Sequence, residues 1–188
     1  CQGLSRKLIR SDALLSRVTT IAVSGAAGQI SYSLLFRLIA GDLLGQTERL
    51  SLRLLETESA LPQLEGVAME LSDCASPLLE SISCHQNPDE AFRDADIVFL
   101  VGAKPRSVGM ERADLLGMNA RIFAEQGRAL SQMARPDVRV LVVGNPVNTN
   151  VLIALRNASA LGPRNFTGMT RLDHNRTISL MAAQAGVR

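Results

Sequence analysis

The stretch Thr20–Ala40, TIAVSGAAGQISYSLLFRLIA, constrains the fold more than any other. Ile21-Ala22-Val23 is a short β-rich apolar run that breaks at Ser24-Gly25-Ala26-Ala27-Gly28. From Gln29 apolar residues return at helical spacing as Ile30, Leu34, Leu35, Leu38 and Ile39. A strand that turns sharply into a helix through small residues aims unpaired backbone N–H groups, and the positive end of the helix dipole, at one point. That point suits a phosphate or pyrophosphate, although such a turn is also commonly nothing more than a turn. The spacing is Gly25-x-x-Gly28-x-x-Ser31, with serine where the commoner fingerprint has a third glycine for close helix–strand packing.

The next expected strand, Leu50–Leu55, ends at Glu56. In a βαβ unit an acid at that tip accepts hydrogen bonds from the ribose hydroxyls of an adenosine and repels the extra phosphate of NADP, so Glu56 points to NAD. The alternative is a solvated carboxylate in the acidic loop Glu56-Thr57-Glu58.

From Thr19 onward strands and helices alternate. Helices are expected at Ala60–Cys74, Glu111–Met133, Asn148–Asn157 and Leu172–Ala185, with a helical turn at Pro88–Phe92. Strands are expected at Ser81–His85, Asp96–Val101, Val138–Val143 and Phe166–Met169. This pattern predicts the α/β class, a doubly wound parallel sheet with right-handed crossovers and ligands at the carboxyl ends of the strands. Gly25, Glu56, Gly102 and Asn145 all fall at such ends. Apolar content is 46% with only 3% aromatic, so the core must be aliphatic, Leu115, Leu116, Ile122, Phe123 and Leu130 being the inward positions of the long helix.

At 188 residues the chain makes one domain and the start of another. Residues 1–18 form a basic extension: a targeting segment, an upstream tail or the end of a preceding element. Residues 19–160 form the nucleotide-binding domain, and 161–188 begin a second domain. A formal charge of +2, with arginines scattered along the chain, gives no nucleic-acid signature. No apolar run reaches 18 residues, the length a membrane span needs. Cys1, Cys74 and Cys84 have no metal-type spacing, which leaves no metal site and suggests buried thiols in a reducing compartment. A cytoplasmic location follows, or an organelle if the basic stretch is a transit segment.

Two further segments carry chemistry. Gly102–Arg112, GAKPRSVGMER, is a loop at a strand's carboxyl end with Arg106 and Arg112, whose guanidinium forks match carboxylates. Arginines on loops are also ordinary solvated surface. In Thr170–Arg176, TRLDHNR, Asp173 and Arg176 share a helical face, as a plain surface pair or as a histidine-orienting acid beside a carboxylate clamp. His174 points elsewhere and reads as a structural or exposed side chain.

Taken together, VSGAAGQIS, LLE at Leu54–Glu56, LEGVAMEL at Leu64–Leu71, VGAKPRSVGMER, VVGNPVNTN and TRLDHNR resemble the malate dehydrogenases of the cytosolic and bacterial type, from about Thr19 to the last residue. The resemblance implies a Rossmann-type domain, NAD as cofactor and a homodimer joined through the helix at Ala60–Cys74. It implies that Gly25, Ala26, Ala27, Gly28, Gln29, Ile30 and Ser31 line the pyrophosphate and that Glu56 holds the ribose. Asn119, Gln126, Val143, Gly144 and Asn145 would complete the cofactor site. Arg106 would bind the carboxylate that distinguishes malate from lactate, and Arg112 would polarise the carbonyl of oxaloacetate. Asn145 would contact the reacting oxygen and Arg176 would clamp the adjacent carboxylate. Asp173 would pair with a catalytic histidine that in the family lies downstream of the Asp173 helix. The chain is therefore expected to be a fragment with little or no activity. The alternative is a non-catalytic nucleotide-binding or interaction module derived from that family.

Overall fold

The computed structural model describes residues 17–104, 109 and 111–187, with Arg112 described by its backbone alone. Most of the expected basic extension, and Arg106, lie outside the described residues.

The alternation in the sequence becomes a six-stranded sheet in the order β3-β2-β1-β4-β5-β6. Its strands are β1 (Thr19–Ser24), β2 (Leu50–Leu55), β3 (Leu79–His85), β4 (Ile97–Leu100), β5 (Arg139–Val142) and β6 (Phe166–Gly168). Every adjacent pair is parallel. Helices α1 (Gln29–Ile39), α2 (Leu61–Asp73), α3 (Pro88–Ala91), α4 (Arg112–Met133), α5 (Val147–Asn157) and α6 (Arg171–Ala185) separate or follow the strands. The order reverses between β1 and β4, and that crevice is where a doubly wound sheet takes its ligand.

The sheet is buried on both faces, and the period-2 geometry of a strand decides which residue goes where. Ile21 and Val23 of β1 meet Leu35, Leu38, Leu64, Val67 and Leu71 from α1 and α2. Ala22, between them, faces the opposite cluster with Phe92, Val98, Leu100, Phe123, Leu130 and Val142. On α1 the buried positions are Ser31, Leu35, Leu38 and Ile39, a stripe at helical spacing. Asp96 secures the far end of the sheet: its carboxylate pairs with Arg17 and Arg135 and accepts the Thr20 N–H at 2.9 Å.

Three expectations change. β3 begins at Leu79, two residues before Ser81, because Leu79 pairs with Leu50 across an irregularity in the β2–β3 register. Leu116, an inward position by its spacing, is exposed, since the first turns of α4 run beyond the core. Cys74, read from the sequence as a buried thiol, is exposed at the end of α2. The expected last helix forms at α6 but buries none of its residues, leaving Leu172, Ile178, Leu180 and Met181 exposed.

Candidate functional site

Two backbones approach closely at the reversal point. Gly102, just past β4, donates its N–H to the Ser24 carbonyl at 3.0 Å. A Cβ on Gly25 would fall 2.4 Å from the Gly102 Cα, and Gly25 sits at φ +66, so glycine is required there twice over. Beside this contact opens a cavity of about 860 Å³. Its walls are Ser24, Gly25, Gly28, Gln29 and Ile30 from the β1–α1 turn, and Leu55, Glu56 and Thr57 from the end of β2. Gln86 and Pro88 follow β3, Val101–Lys104 follow β4, and Ile122, Glu125 and Gln126 come from α4.

The turn uses several of its own donors. Gly25 and Ala26 give their N–H groups to the Leu55 carbonyl at 2.9 and 3.3 Å, and Gly28 gives its N–H to the Gly25 carbonyl at 3.1 Å. Ala27 N–H donates to Glu56 Oε1 at 3.2 Å, and its carbonyl accepts from Gln63 Nε2 of α2 at 3.0 Å. The first intrahelical bond runs from Tyr32 N–H to the Gly28 carbonyl at 2.8 Å. Gln29, Ile30 and Ser31 therefore have no intrahelical acceptor, and among the described residues no side chain caps the helix. The donors available to an anion are at the start of α1, downstream of the glycines.

Glu56 stands where the sequence puts it, in the cavity wall, with Oε2 accepting the Thr57 N–H at 3.0 Å. Gln126 is 6% exposed and its Oε1 has no partner among the described residues, as is true of the Ser24 hydroxyl, 1% exposed; both line the cavity. Unpartnered buried polar atoms in a ligand-sized cavity are open positions for a ligand's hydrogen bonds. Ile30, 63% exposed, adds an apolar surface at the rim. The residues thus fit a long ligand with an anionic centre, a hydroxylated sugar at Glu56 and flat apolar parts.

Other expected site residues lie elsewhere. Asn119 is fully buried but spends its side chain on the loop after β4, Oδ1 accepting from Lys104 N–H at 2.8 Å and Nδ2 donating to the Lys104 carbonyl at 3.4 Å. Its position supports the cavity wall rather than forming it. Val143 and Gly144 are buried behind the wall, with Gly144 pressed against Ala103 and Phe123, and Asn145 is exposed at the cis bond to Pro146. Ala26 and Ala27 are buried outside the wall, and Ser31 is fully buried in the core with its hydroxyl unpartnered among the described residues. Asp173, His174 and Arg176 are exposed on α6, and the cavity wall contains none of them. The side chains of Arg106 and Arg112 lie outside the described residues.

Sequence reasoning missed Ser24, Gln86, Lys104 and Gln63. Asn119 and Gln126 entered only through the resemblance, yet a signal exists: they are polar residues on the stripe Asn119, Phe123, Gln126, Leu130, which is otherwise apolar and buried. Among the described residues no cluster of three or more His, Cys, Asp or Glu side chains could hold a metal, and no helix is long and apolar enough to cross a membrane.

The strand order and the cavity at its reversal define a dinucleotide-binding domain of the doubly wound class. The family model described as lactate/malate dehydrogenase, NAD binding domain, matches residues 19–173. The chain belongs to that family, and its cofactor is NAD. It is 51% identical to malate dehydrogenase of Naegleria fowleri, covering 93% of this chain and 53% of that one at TM-score 0.87. It is 41% identical to lactate dehydrogenase of Trichomonas vaginalis solved with NADH and oxamate, covering 90% and 51% at TM-score 0.83. An apo variant of the Trichomonas vaginalis enzyme gives 42% identity, 92% and 52% coverage and TM-score 0.86. The chain spans about half the length of these solved structures.

Proposed function

We propose that the chain is the cofactor-binding part of an NAD-dependent malate dehydrogenase acting on malate and oxaloacetate. The observation that carries the cofactor half is the cavity in which the uncapped start of α1 and the Glu56 carboxylate share one wall. The malate half is supported by 51% identity to a malate dehydrogenase and by the arginine-bearing loop Gly102–Arg112.

Bound NAD supplies the hydride acceptor, taking two electrons and a hydrogen from C2 of malate while the hydroxyl proton passes to a base. The residues of this chain bind, orient and discriminate. Backbone N–H groups of Gln29 and Ile30 hold the pyrophosphate, Glu56 accepts from the adenosine ribose, and Gln126 accepts a further donor. Arg106 and Arg176 would grip the two carboxylates, with Arg112 and Asn145 at the reacting oxygen and Asp173 orienting the histidine. Neither of the chain's 2 histidines is in the cavity wall. The 188 residues alone are accordingly expected to bind NADH and to form little of it from malate. We further propose a homodimer through α2, whose Met69 is exposed at 69% and beside which Tyr32 of α1 is exposed at 40%.

The test completes this chain with the C-terminal half of the Naegleria fowleri enzyme and compares malate with lactate as NAD-dependent substrates. A preference for malate of about tenfold or more is expected, and Arg106→Gln should erode it. Preference for lactate would overturn the malate reading, and rapid malate oxidation by the 188 residues alone would overturn their expected inactivity.

A further inference from the structure

We infer that Gln63 is a positioning residue for the cofactor, holding the Ala27–Gly28 peptide so that its carbonyl is kept out of the anion site. This rests on the dinucleotide reading of the cavity. The Ala27 residue is gripped from both sides by side chains that arrive after β2: Glu56 Oε1 takes its N–H at 3.2 Å, and Gln63 Nε2 gives to its carbonyl at 3.0 Å. In a trans peptide the carbonyl and the following N–H point in opposite directions. With the Ala27 carbonyl drawn toward α2, the Gly28 N–H is turned back to the Gly25 carbonyl, 3.1 Å away. Gly25 and Gly28 are in the cavity wall, whereas Ala27 and Gln63 are not.

The glycines make this grip necessary. A peptide flanked by glycine has little steric preference to keep its plane, and rotation would swing a carbonyl oxygen toward the site where the start of α1 presents its donors. An acceptor dipole beside a pyrophosphate repels it. Gln63 is suited to prevent the rotation because its neutral amide donates without adding charge. Gln63 itself is exposed, so it contributes little to the core and its effect is on the turn.

The test uses the 188-residue chain, NADH fluorescence titration and thermal melting. Gln63→Leu keeps the bulk and removes the donor; NADH binding should weaken by roughly two- to tenfold, the worth of one net hydrogen bond, while the melting temperature falls by no more than about 6 °C. Gln63→Glu provides a readout that a merely structural role would not move. At pH 8 its carboxylate cannot donate and binding should be weak; as the pH falls toward about 4.5 the protonated acid can donate, and affinity relative to the parent at the same pH should recover. Parental affinity in Gln63→Leu, or a Gln63→Glu to parent ratio constant with pH, would overturn the inference. A parent chain that binds no NADH would instead overturn the reading on which it rests.

Discussion

Replacing Gly102 with alanine isolates the packing at the β1–β4 reversal. Gly25→Ala would combine a collision with a left-handed φ of +66, but Gly102 has no such φ, so only the collision is introduced. The new Cβ would lie 2.9 Å from Gly25 N and 3.0 Å from Gly25 Cα, where ordinary contact begins at 3.4 Å. Both are backbone atoms and cannot rotate away. Gly25 is itself tied to β2 through its 2.9 Å bond to the Leu55 carbonyl, so the relief must be distributed over three strands. Overpacking of this kind costs about 1–3 kcal/mol, and each kcal/mol moves the midpoint of a domain this size by about 2–4 °C. Gly102→Ala should therefore melt about 2–12 °C below the parent and bind NADH more weakly. Gly117→Ala is the control: Gly117 is exposed within α4 with nothing within 4 Å of a built Cβ, and the change should stabilise by about 0.5–1 kcal/mol. Scanning calorimetry with NADH titration reads both. A Gly102→Ala chain that melts within about 1 °C of the parent would show that the two turns are not pressed together, and the close-approach account would fall.

Tyr32, the only tyrosine of the chain, donates its hydroxyl to Glu70, and that hydrogen bond, with burial and the nearby charge, raises its pKa above the ordinary value. Because the folded pKa is raised, the contribution to stability is complete below about pH 10 and is lost as pH rises through the folded value; phenolate absorbance should show the late titration, and Glu70→Gln should bring it earlier. Cys84 is half-buried with its thiol pushed up by burial and by Glu65, whereas Cys74 is exposed, so a thiol reagent followed by peptide mapping should modify Cys74 before Cys84. The Ser31 hydroxyl is fully buried without a partner among the described residues, so Ser31→Ala should raise stability by about 1 kcal/mol in urea unfolding; destabilisation would reveal a partner for that hydroxyl.

Much of the fold was legible because each strand is bracketed by its own turn chemistry. Leu50–Leu55 is a strand in both the sequence reading and the structure, and Ser24-Gly25 ends β1 in both. What failed depended on lengths that a local pattern does not carry. The 22 residues of α4 extend about 33 Å, while the four of β4 extend about 13 Å, so the first turns of α4 have no sheet beneath them and Leu116 is exposed despite its apolar spacing. The candidate site divides in the same way. Gly25 and Gly28 follow from a strand–turn–helix geometry encoded within a few residues, and Glu56 from its place at the end of the next strand of the same βαβ unit. Gln63 has no motif, because its role depends on which backbone group happens to face it after folding.

Residue type also under-determines role within the motif itself. The glycine turn looks like a row of phosphate donors, yet Gly25, Ala26, Ala27 and Gly28 spend their N–H groups within the protein. What they create is a rigid approach that leaves Gln29, Ile30 and Ser31 at the open end of the helix. Glu56 is bound into the same device. Each of its carboxylate oxygens already accepts one backbone N–H, from Ala27 and from Thr57, and a carboxylate oxygen can accept more than one donor. The acid is thus fixed in direction before any ligand arrives, and under the proposed function the turn that leads into the anion site also aims the carboxylate that would repel a 2′-phosphate. Under that proposal cofactor choice and anion binding would be coupled through Ala27, whose N–H donates to Glu56, so a substitution that loosens the turn should relax NAD over NADP discrimination as well as weaken binding, even with Glu56 intact.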